Sequence, residues 1–333
     1  MTKIGILYGG RSTEHDGSVA TRDGVIAELD KDTYELVDSI FIDRDGSVSL
    51  NEASITLGTL VDRIKNNRDI FYFNLMPGNE GEDGAWSGIF DICDGRGSFE
   101  PVNTASLLMN KYQQSCLAVS LLSGMVYCPA SALITRGMGK EAIGDVLGGF
   151  SEEIIIKPNS MGSSHFMDIF IKSEKDRIIK FLAKLHEYDQ AAIVQEFIEG
   201  ENYSCGVFGE KGGMRSLPVV YQKIGARFMS HEVKFGGEWE RIIVDNPLAD
   251  RIRQVSVRLA EIFNLIGMCR FDFIVKNDRI YFLEGNIVPS LAFGGSFESM
   301  LIADGLNRND LLAGLIYSFD NRVKNIKLLP YKT

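Results

Sequence analysis

The stretch Arg270-Phe271-Asp272-Phe273-Ile274-Val275-Lys276-Asn277-Asp278-Arg279-Ile280-Tyr281-Phe282-Leu283-Glu284-Gly285-Asn286 decides how this chain is read. Two apolar, β-favouring runs, Phe271 to Val275 and Ile280 to Leu283, flank the turn-prone pair Asn277-Asp278, which is the pattern of a β-hairpin. With the loop centred on Asp278, Asp272 lies across from Glu284 and Arg270 across from Asn286. Side chains alternate faces along a strand, so these four polar groups share one face. Phe271, Phe273, Tyr281 and Leu283 then take the opposite face, as core. Two carboxylates and an amide oxygen beside an arginine make a hard, all-oxygen site suited to Mg²⁺ held against substrate phosphates. The competing reading is a surface pairing of Arg with Asp and of Glu with Asn, and a short motif alone does not separate the two.

The remainder of the chain bears on that choice. At 333 residues it exceeds one ordinary core, so two or three domains are expected. A hydrophobic fraction of 45% and a charged fraction of 24% are those of a soluble globular protein, and no apolar run is long enough to cross a bilayer. The N-terminal residues Met1 to Tyr8 run at once into Gly9-Gly10, which reads as a buried strand rather than a signal peptide. Five scattered cysteines without a Cys-x-x-Cys pair fit reduced thiols in a cytoplasmic protein. A net charge of −10 gives nucleic-acid binding no electrostatic support. An anionic substrate would have to meet local cations, among them Lys111, Lys157, Lys234 and Arg270.

Residues 1–95 alternate strand and helix: a strand at Ile4–Tyr8, a helix from Ser18, a strand at Tyr34–Ile42, a helix at Leu60–Lys65 and a strand at Ile70–Leu75. Such alternation implies a parallel sheet covered by helices. A helical pattern follows over Thr104–Leu122, then strands at Ile154–Lys157, Phe166–Ile171, Ile193–Ile198 and Tyr203–Phe208. Helices are expected at Glu174–Leu185 and Leu248–Leu265, with a mobile loop at Gly225–Trp239, where Gly, Lys and His occur without periodicity.

Four further motifs have chemical content. Gly9-Gly10-Arg11-Ser12-Thr13-Glu14-His15 follows the first strand, so its glycines let backbone approach a ligand at a helix N-terminus; an ordinary βα turn is the alternative. Gly81-Glu82-Asp83-Gly84 reads as a helix cap in which Asp83 accepts amide hydrogen bonds. Lys157-Pro158-Asn159-Ser160-Met161-Gly162-Ser163-Ser164 places a lysine at a strand end before a small, hydroxyl-rich loop that can fold over a triphosphate; a solvated turn is the alternative. Gln195-Glu196-Phe197-Ile198 could wall an adenine ring or be an edge strand with an exposed acidic end.

In order, these segments, with Met109-Asn110-Lys111 and Lys234-Phe235, resemble the D-alanine–D-alanine ligase family of ATP-grasp enzymes over almost the whole chain. The resemblance implies an α/β and α+β architecture of three domains, 1–99, 100–198 and 199–333, with a parallel-sheet N-terminal domain and ATP between two mixed sheets. It implies that Lys111 and Lys157 hold ATP phosphates, that Gln195, Glu196, Phe197 and Ile198 line the adenine pocket, and that Asn202 (or Glu201) meets the ribose. Asp272, Glu284 and Asn286 would bind two Mg²⁺, with Mn²⁺ as a substitute. Glu14 would take the ammonium of the first amino acid under Ser163, Arg270 would stabilise the tetrahedral intermediate, and Lys234 would reach the γ-phosphate. Small amino-acid substrates, an acylphosphate intermediate and a homodimer complete the expectation.

The sequence also departs from the family. Pro77-Gly78 stands where the family has His-Gly, and Phe235 replaces a tyrosine, a change associated with hydroxy-acid acceptors. The Asn-Thr-x-Pro-Gly-x-Thr segment that shapes the acceptor pocket becomes Asn286-Ile287-Val288-Pro289-Ser290, leading to Ser296-Phe297. The reading is therefore a carboxylate–amine ligase with an altered acceptor site around Phe235, Ser290 and Ser296. The alternatives are a depsipeptide-forming ligase and a non-catalytic nucleotide-binding regulator on the same fold.

Overall fold

The computed structural model describes residues 1–162, 166–236 and 239–322, and three sheets organise them. The N-terminal sheet has six strands in the order Ala53–Ile55, Val48–Leu50, Tyr34–Ile42, Thr2–Gly9, Phe71–Asn74, Arg96–Gly97. Its centre is parallel, as the alternation implied, while Val48–Leu50 and Ala53–Ile55 add an antiparallel hairpin at one edge. Ile4, Ile6 and Leu7 are fully buried, as expected of a parallel strand covered on both faces. The first helix, His15–Glu28, starts three residues before the expected Ser18.

A second, antiparallel sheet has the order Ser131–Thr135, Ala191–Glu196, Glu153–Pro158, Asp168–Ile171. Its face is covered by Lys175–Leu185, whose Ile178, Leu182 and Leu185 are buried at helical spacing. The third sheet runs Trp239–Val244, Val219–Ile224, Glu201–Glu210, Met268–Lys276, Arg279–Asn286, with Gly213–Ser216 paired to Glu201–Glu210. The expected helix over Thr104–Leu122 is two helices, Val102–Met109 and Lys111–Leu121, because the Asn110 side chain caps the second by accepting from the Gln113 amide. Both pack into the core of the third sheet, with Ala105, Leu108 and Ala118 beside Phe271 and Phe282.

The hairpin itself corrects one expectation. Asn277 and Asp278 both have positive φ, 50° and 61°, and form a two-residue turn between Lys276 and Arg279. That turn alone would set Asp272 opposite Leu283. A register shift between Asp272 and Phe273 leaves Leu283 as an extra residue, and Asp272 pairs with Glu284 and Arg270 with Asn286 after all. The same bulge puts Phe282, fully buried, on the core side with Phe271 and Phe273, whereas Tyr281 and Leu283, expected in the core, are only half-buried.

The described residues of the Gly225–Trp239 stretch are not all loop. It contains a short helix, His231–Gly236, and Trp239 opens a strand. Ahead of the helix, Arg227 donates to both oxygens of Glu153 at 3.1 Å and its guanidinium lies 5.0 Å from the Phe197 ring centroid.

Candidate active site

The bulged hairpin presents its polar row on the face where the other two sheets approach. Arg270 donates through Nε and Nη2 to the two oxygens of Asp272, at 2.9 and 2.8 Å. Ser204 Oγ donates to Asp272 Oδ1 at 2.5 Å, and Asn286 Nδ2 to Oδ2 at 3.3 Å. Burial works against the charge on Arg270, but Asp272, with Glu284 and Glu14 behind it, outweighs burial and holds the guanidinium protonated more firmly than usual.

Two lysines meet this row from other elements. Lys111 is the first residue of its helix; its amide donates to Asn159 O at 3.0 Å, and the Tyr112 amide to Asn159 Oδ1 at 3.0 Å. Asn159 thereby fastens the loop after Lys157 to the helix start. Lys111 Nζ donates to Met161 O at 2.7 Å and lies 3.1 Å from Glu284 Oε2. Lys157 is buried at the end of its strand, and burial lowers its pKa to about 8 against the opposing pull of Glu284, with Lys111 adding to the fall. Burial would raise the pKa of Glu284, but Lys111, Lys157 and Arg270 overcome it and bring the carboxyl to about 2. The result is one carboxylate held between desolvated cations, a place where a polyanion would restore the solvation the lysines have lost.

Glu14 reaches the same cleft from the N-terminal sheet. A Cβ on Gly162 would lie 2.4 Å from Glu14 Oε2, so the loop after Lys157 comes close against this carboxylate. The loop bearing Glu14 is tied down by Ser12 Oγ, which donates to Pro77 O at 2.9 Å, and by Ser18 Oγ, which donates to Leu75 O at 2.5 Å. His15 is structural, buried with Nδ1 2.7 Å from Gly10 O.

Asp83 accepts from the amides of Glu80 and Ala85, at 2.9 Å each, but the N-cap of the helix Ala85–Ile92 is Gly84, without a side-chain cap, so Asp83 braces the turn ahead of the helix instead of capping it as expected. Its neighbour Glu82 went unrecognised. Buried, it accepts from the amides of Gly78 at 2.6 Å and Val288 at 2.9 Å, joining the N-terminal domain to the segment after the hairpin. Burial, then the nearby charge of Glu14, raises its pKa to about 7. The glycine-framed acidic turn was the available signal. Gln114, whose Oε1 accepts from the Gly285 amide at 2.8 Å, left none. Glu82, Met109, Lys111, Met161, Glu284 and Asn286 line one cleft.

Other expected residues fall as follows. Gln195 is buried in an inner strand of the second sheet, paired with Ser131 on one side and Ile155 on the other, and its side-chain amide donates to Ser131 Oγ at 2.9 Å. Glu196 is half-buried, Phe197 lies under Arg227, and Ile198 is buried. Asn202 sits on the third sheet opposite Gln222 and Ile274, and Glu201 accepts from Tyr203 Oη at 2.9 Å. Ser290 Oγ is 3.1 Å from Thr21 Oγ, and Ser296 Oγ accepts from Arg241 Nε at 3.0 Å. Ser163 and the side chains of Lys234 and Phe235 lie outside the described residues.

Among the described residues, no group of three or more His, Cys, Asp or Glu side chains converges as a metal cage. Asp272, Glu284 and Asn286 supply two carboxylates and one amide oxygen, which suits a Mg²⁺ that takes its remaining oxygens from phosphates and water. Thus the donor set fits the ion.

The family profile described as D-ala D-ala ligase C-terminus matches residues 136–317. A D-alanine–D-alanine ligase of Bacillus anthracis is 26% identical over 318 aligned residues, which cover 94% of this chain and 96% of that one. Among solved structures, the VanG D-Ala:D-Ser ligase of Enterococcus faecalis superposes with a TM-score of 0.79 at 21% identity, covering 96% of this chain and 99% of that one. The Bacillus anthracis D-alanine–D-alanine ligase complexed with ATP gives 0.75 at 23% identity, covering 96% and 97%. At these identities the two superpositions speak to the fold alone.

Proposed function

Because the chain belongs to the D-alanine–D-alanine ligase family and is an ATP-dependent ligase of the ATP-grasp fold, we propose that it joins two amino acids through an acylphosphate, with an acceptor pocket that differs from its relatives'. The observation that supports this most is Lys111 Nζ, bonded at once to Met161 O and Glu284 Oε2. That one ammonium joins a helix start, the loop after Lys157 and the hairpin around a single space.

A carboxylate is a poor electrophile, and phosphorylation supplies its leaving group. Lys111 and Lys157 would hold the phosphates in line with the donor carboxylate. Asp272, Glu284 and Asn286 would hold Mg²⁺, two ions in this reading, which neutralises phosphate charge when bound. Glu14 would orient the donor through its ammonium, and Arg270 would face the negative charge that develops as the acceptor amine attacks. Ser163 and Lys234 would close over the site and keep water from the acylphosphate.

The acceptor side supports a changed preference. The histidine before Gly78 and the glycine at Ser290 are lost, and Phe235 lacks a tyrosine hydroxyl. A buried polar group left without its partner costs about 1–3 kcal/mol, so such changes are hard to reconcile with an unchanged acceptor. Phe235 favours a second reading, a hydroxy-acid acceptor giving a depsipeptide. Small amino-acid substrates and a homodimer belong to the same proposal.

The test is ADP release from ATP and Mg²⁺ across an array of amino-acid and hydroxy-acid pairs. Release that depends on a pair is the expected result. The absence of release with every pair would favour a non-catalytic nucleotide-binding protein.

A further inference from the structure

The segment after the hairpin is held by a buried ion pair that the reaction above does not use. Asn286 and Ile287 line the cleft, Val288 donates to Glu82, and the chain then runs as a loop over residues 289–295. The loop lies against the helix His15–Glu28, whose N-cap is Glu14. Ser290 Oγ is 3.1 Å from Thr21 Oγ1, and a Cβ on Gly24 would lie 3.2 Å from Leu291 O. It therefore spans from the polar row of the hairpin to the helix that follows Glu14, two borders of the space left for a second substrate in the ligase reading.

Arg308 is buried behind this loop, as the first residue of the helix Arg308–Asp320. The positive end of a helix is a poor place for a cation, and burial makes it poorer. Carboxylates and a carbonyl offset both costs. Nε donates to Leu291 O at 2.8 Å, Nη2 donates to Glu298 Oε1 at 2.9 Å, and Nη1 lies 2.5 Å from Glu28 Oε2. Glu298, also buried, accepts from the Gly294 amide at 2.7 Å through its other oxygen. The guanidinium carbon lies 4.5 Å from the Phe293 ring centroid. One buried pair thus holds Leu291, Phe293 and Gly294, and through Glu28 it fixes them to the first helix. An ammonium could not reach all these partners in one plane. An apolar pair of similar volume is often as stable as a buried ion pair, so what the charges add here is a single loop conformation.

Resting on the ligase reading, we propose that Arg308 and Glu298 are positioning residues for the second substrate: by fixing residues 289–295 they set the shape of the acceptor pocket. The ATP end, around Lys111 and Lys157, is built from other elements.

The test compares the wild type with Arg308→Lys and with the double variant Arg308→Met, Glu298→Met, in which the buried pair becomes apolar. Circular dichroism checks the fold, and hydrogen exchange of the Gly294 amide reports whether the loop is still held. Binding of a non-hydrolysable ATP analogue with Mg²⁺ checks the ATP end. ADP release with the substrate pair that the wild type prefers gives donor and acceptor KM separately. Both variants should fold and bind the analogue as the wild type does, and Gly294 should exchange faster in the double variant. Acceptor KM should rise by about tenfold, the scale on which a misplaced contact acts, while donor KM stays near the wild-type value. Unchanged Gly294 exchange in the double variant would overturn the proposal, as would an unchanged acceptor KM with faster exchange. Equal losses in the acceptor, donor and nucleotide constants, or loss of the fold in both variants, would reduce the pair to a structural role and overturn it too. No ADP release from the wild type with any pair would overturn the ligase reading itself, a failure distinct from these.

Discussion

Asp272 faces Glu284 across the hairpin because one residue between the turn and the site, Leu283, is left over. The bulge sets the two carboxylates on one face and hands the core position to Phe282, fully buried against Phe263, Phe271 and Phe273. Truncating the two neighbours should therefore have unequal costs. Phe282→Ala should lose about 3–5 kcal/mol of stability, as a filled core position does, and Leu283→Ala markedly less. Denaturant midpoints of the two variants decide it; equal losses would show that the bulge is misplaced.

Glu284 lies between Lys111 and Lys157, and they, with Arg270, lower its pKa to about 2 despite its burial. Glu284→Gln takes from Lys111 its ion-pair partner and from Lys157 one of its two counter-charges, and removes one metal ligand of the proposed site. Turnover should fall by at least about 10²-fold, consistent with the loss of a large electrostatic contribution, while circular dichroism stays that of a folded protein. Near-normal turnover in a folded variant would remove the metal assignment.

A buried carboxyl outside the cleft offers a pH test. Glu100 accepts from the amides of Ile266 and Gly267, at 3.0 and 2.6 Å, yet burial outweighs those bonds and raises its pKa from 4.5 to about 7. Between these values the folded state keeps a proton that the unfolded state releases. The contribution of Glu100 is thus fully present below pH 4.5 and is lost as pH rises through 7. Glu100→Gln should flatten this part of the stability–pH curve, by on the order of 1–3 kcal/mol. Thermal unfolding at several pH values reads it, and an unchanged slope would contradict the assignment.

The stretch from Gly225 to Trp239 should act as a lid. Arg227 already anchors it to Glu153 and Phe197, and the helix His231–Gly236 carries Lys234. Amide hydrogen exchange there should slow when an ATP analogue and Mg²⁺ are added. Exchange that is slow without nucleotide and indifferent to it would rule out a lid.

The strands and helices with a clean period, such as Tyr34–Ile42 and Lys175–Leu185, were legible in the sequence because burial of one face leaves its mark on residue order. The polar row of the hairpin was legible for the same reason. Leu283 was not, because a bulge is a property of pairing between strands and has no signature in either one. Short strands such as Ser131–Thr135 and Val219–Ile224 were missed where neighbours, rather than period, make the strand. Glu82, Gln114 and Arg308 escaped notice because their roles depend on partners far away in the sequence.

The most direct measurement is mass spectrometry of the product formed from D-alanine alone and from D-alanine with mixed acceptors, with ADP counted in the same reaction. The expected result is one ADP per product, with a mixed product outweighing D-alanyl-D-alanine by at least about tenfold, the scale on which one missing polar partner discriminates. Efficient D-alanyl-D-alanine synthesis unmatched by any other acceptor would contradict an altered acceptor pocket.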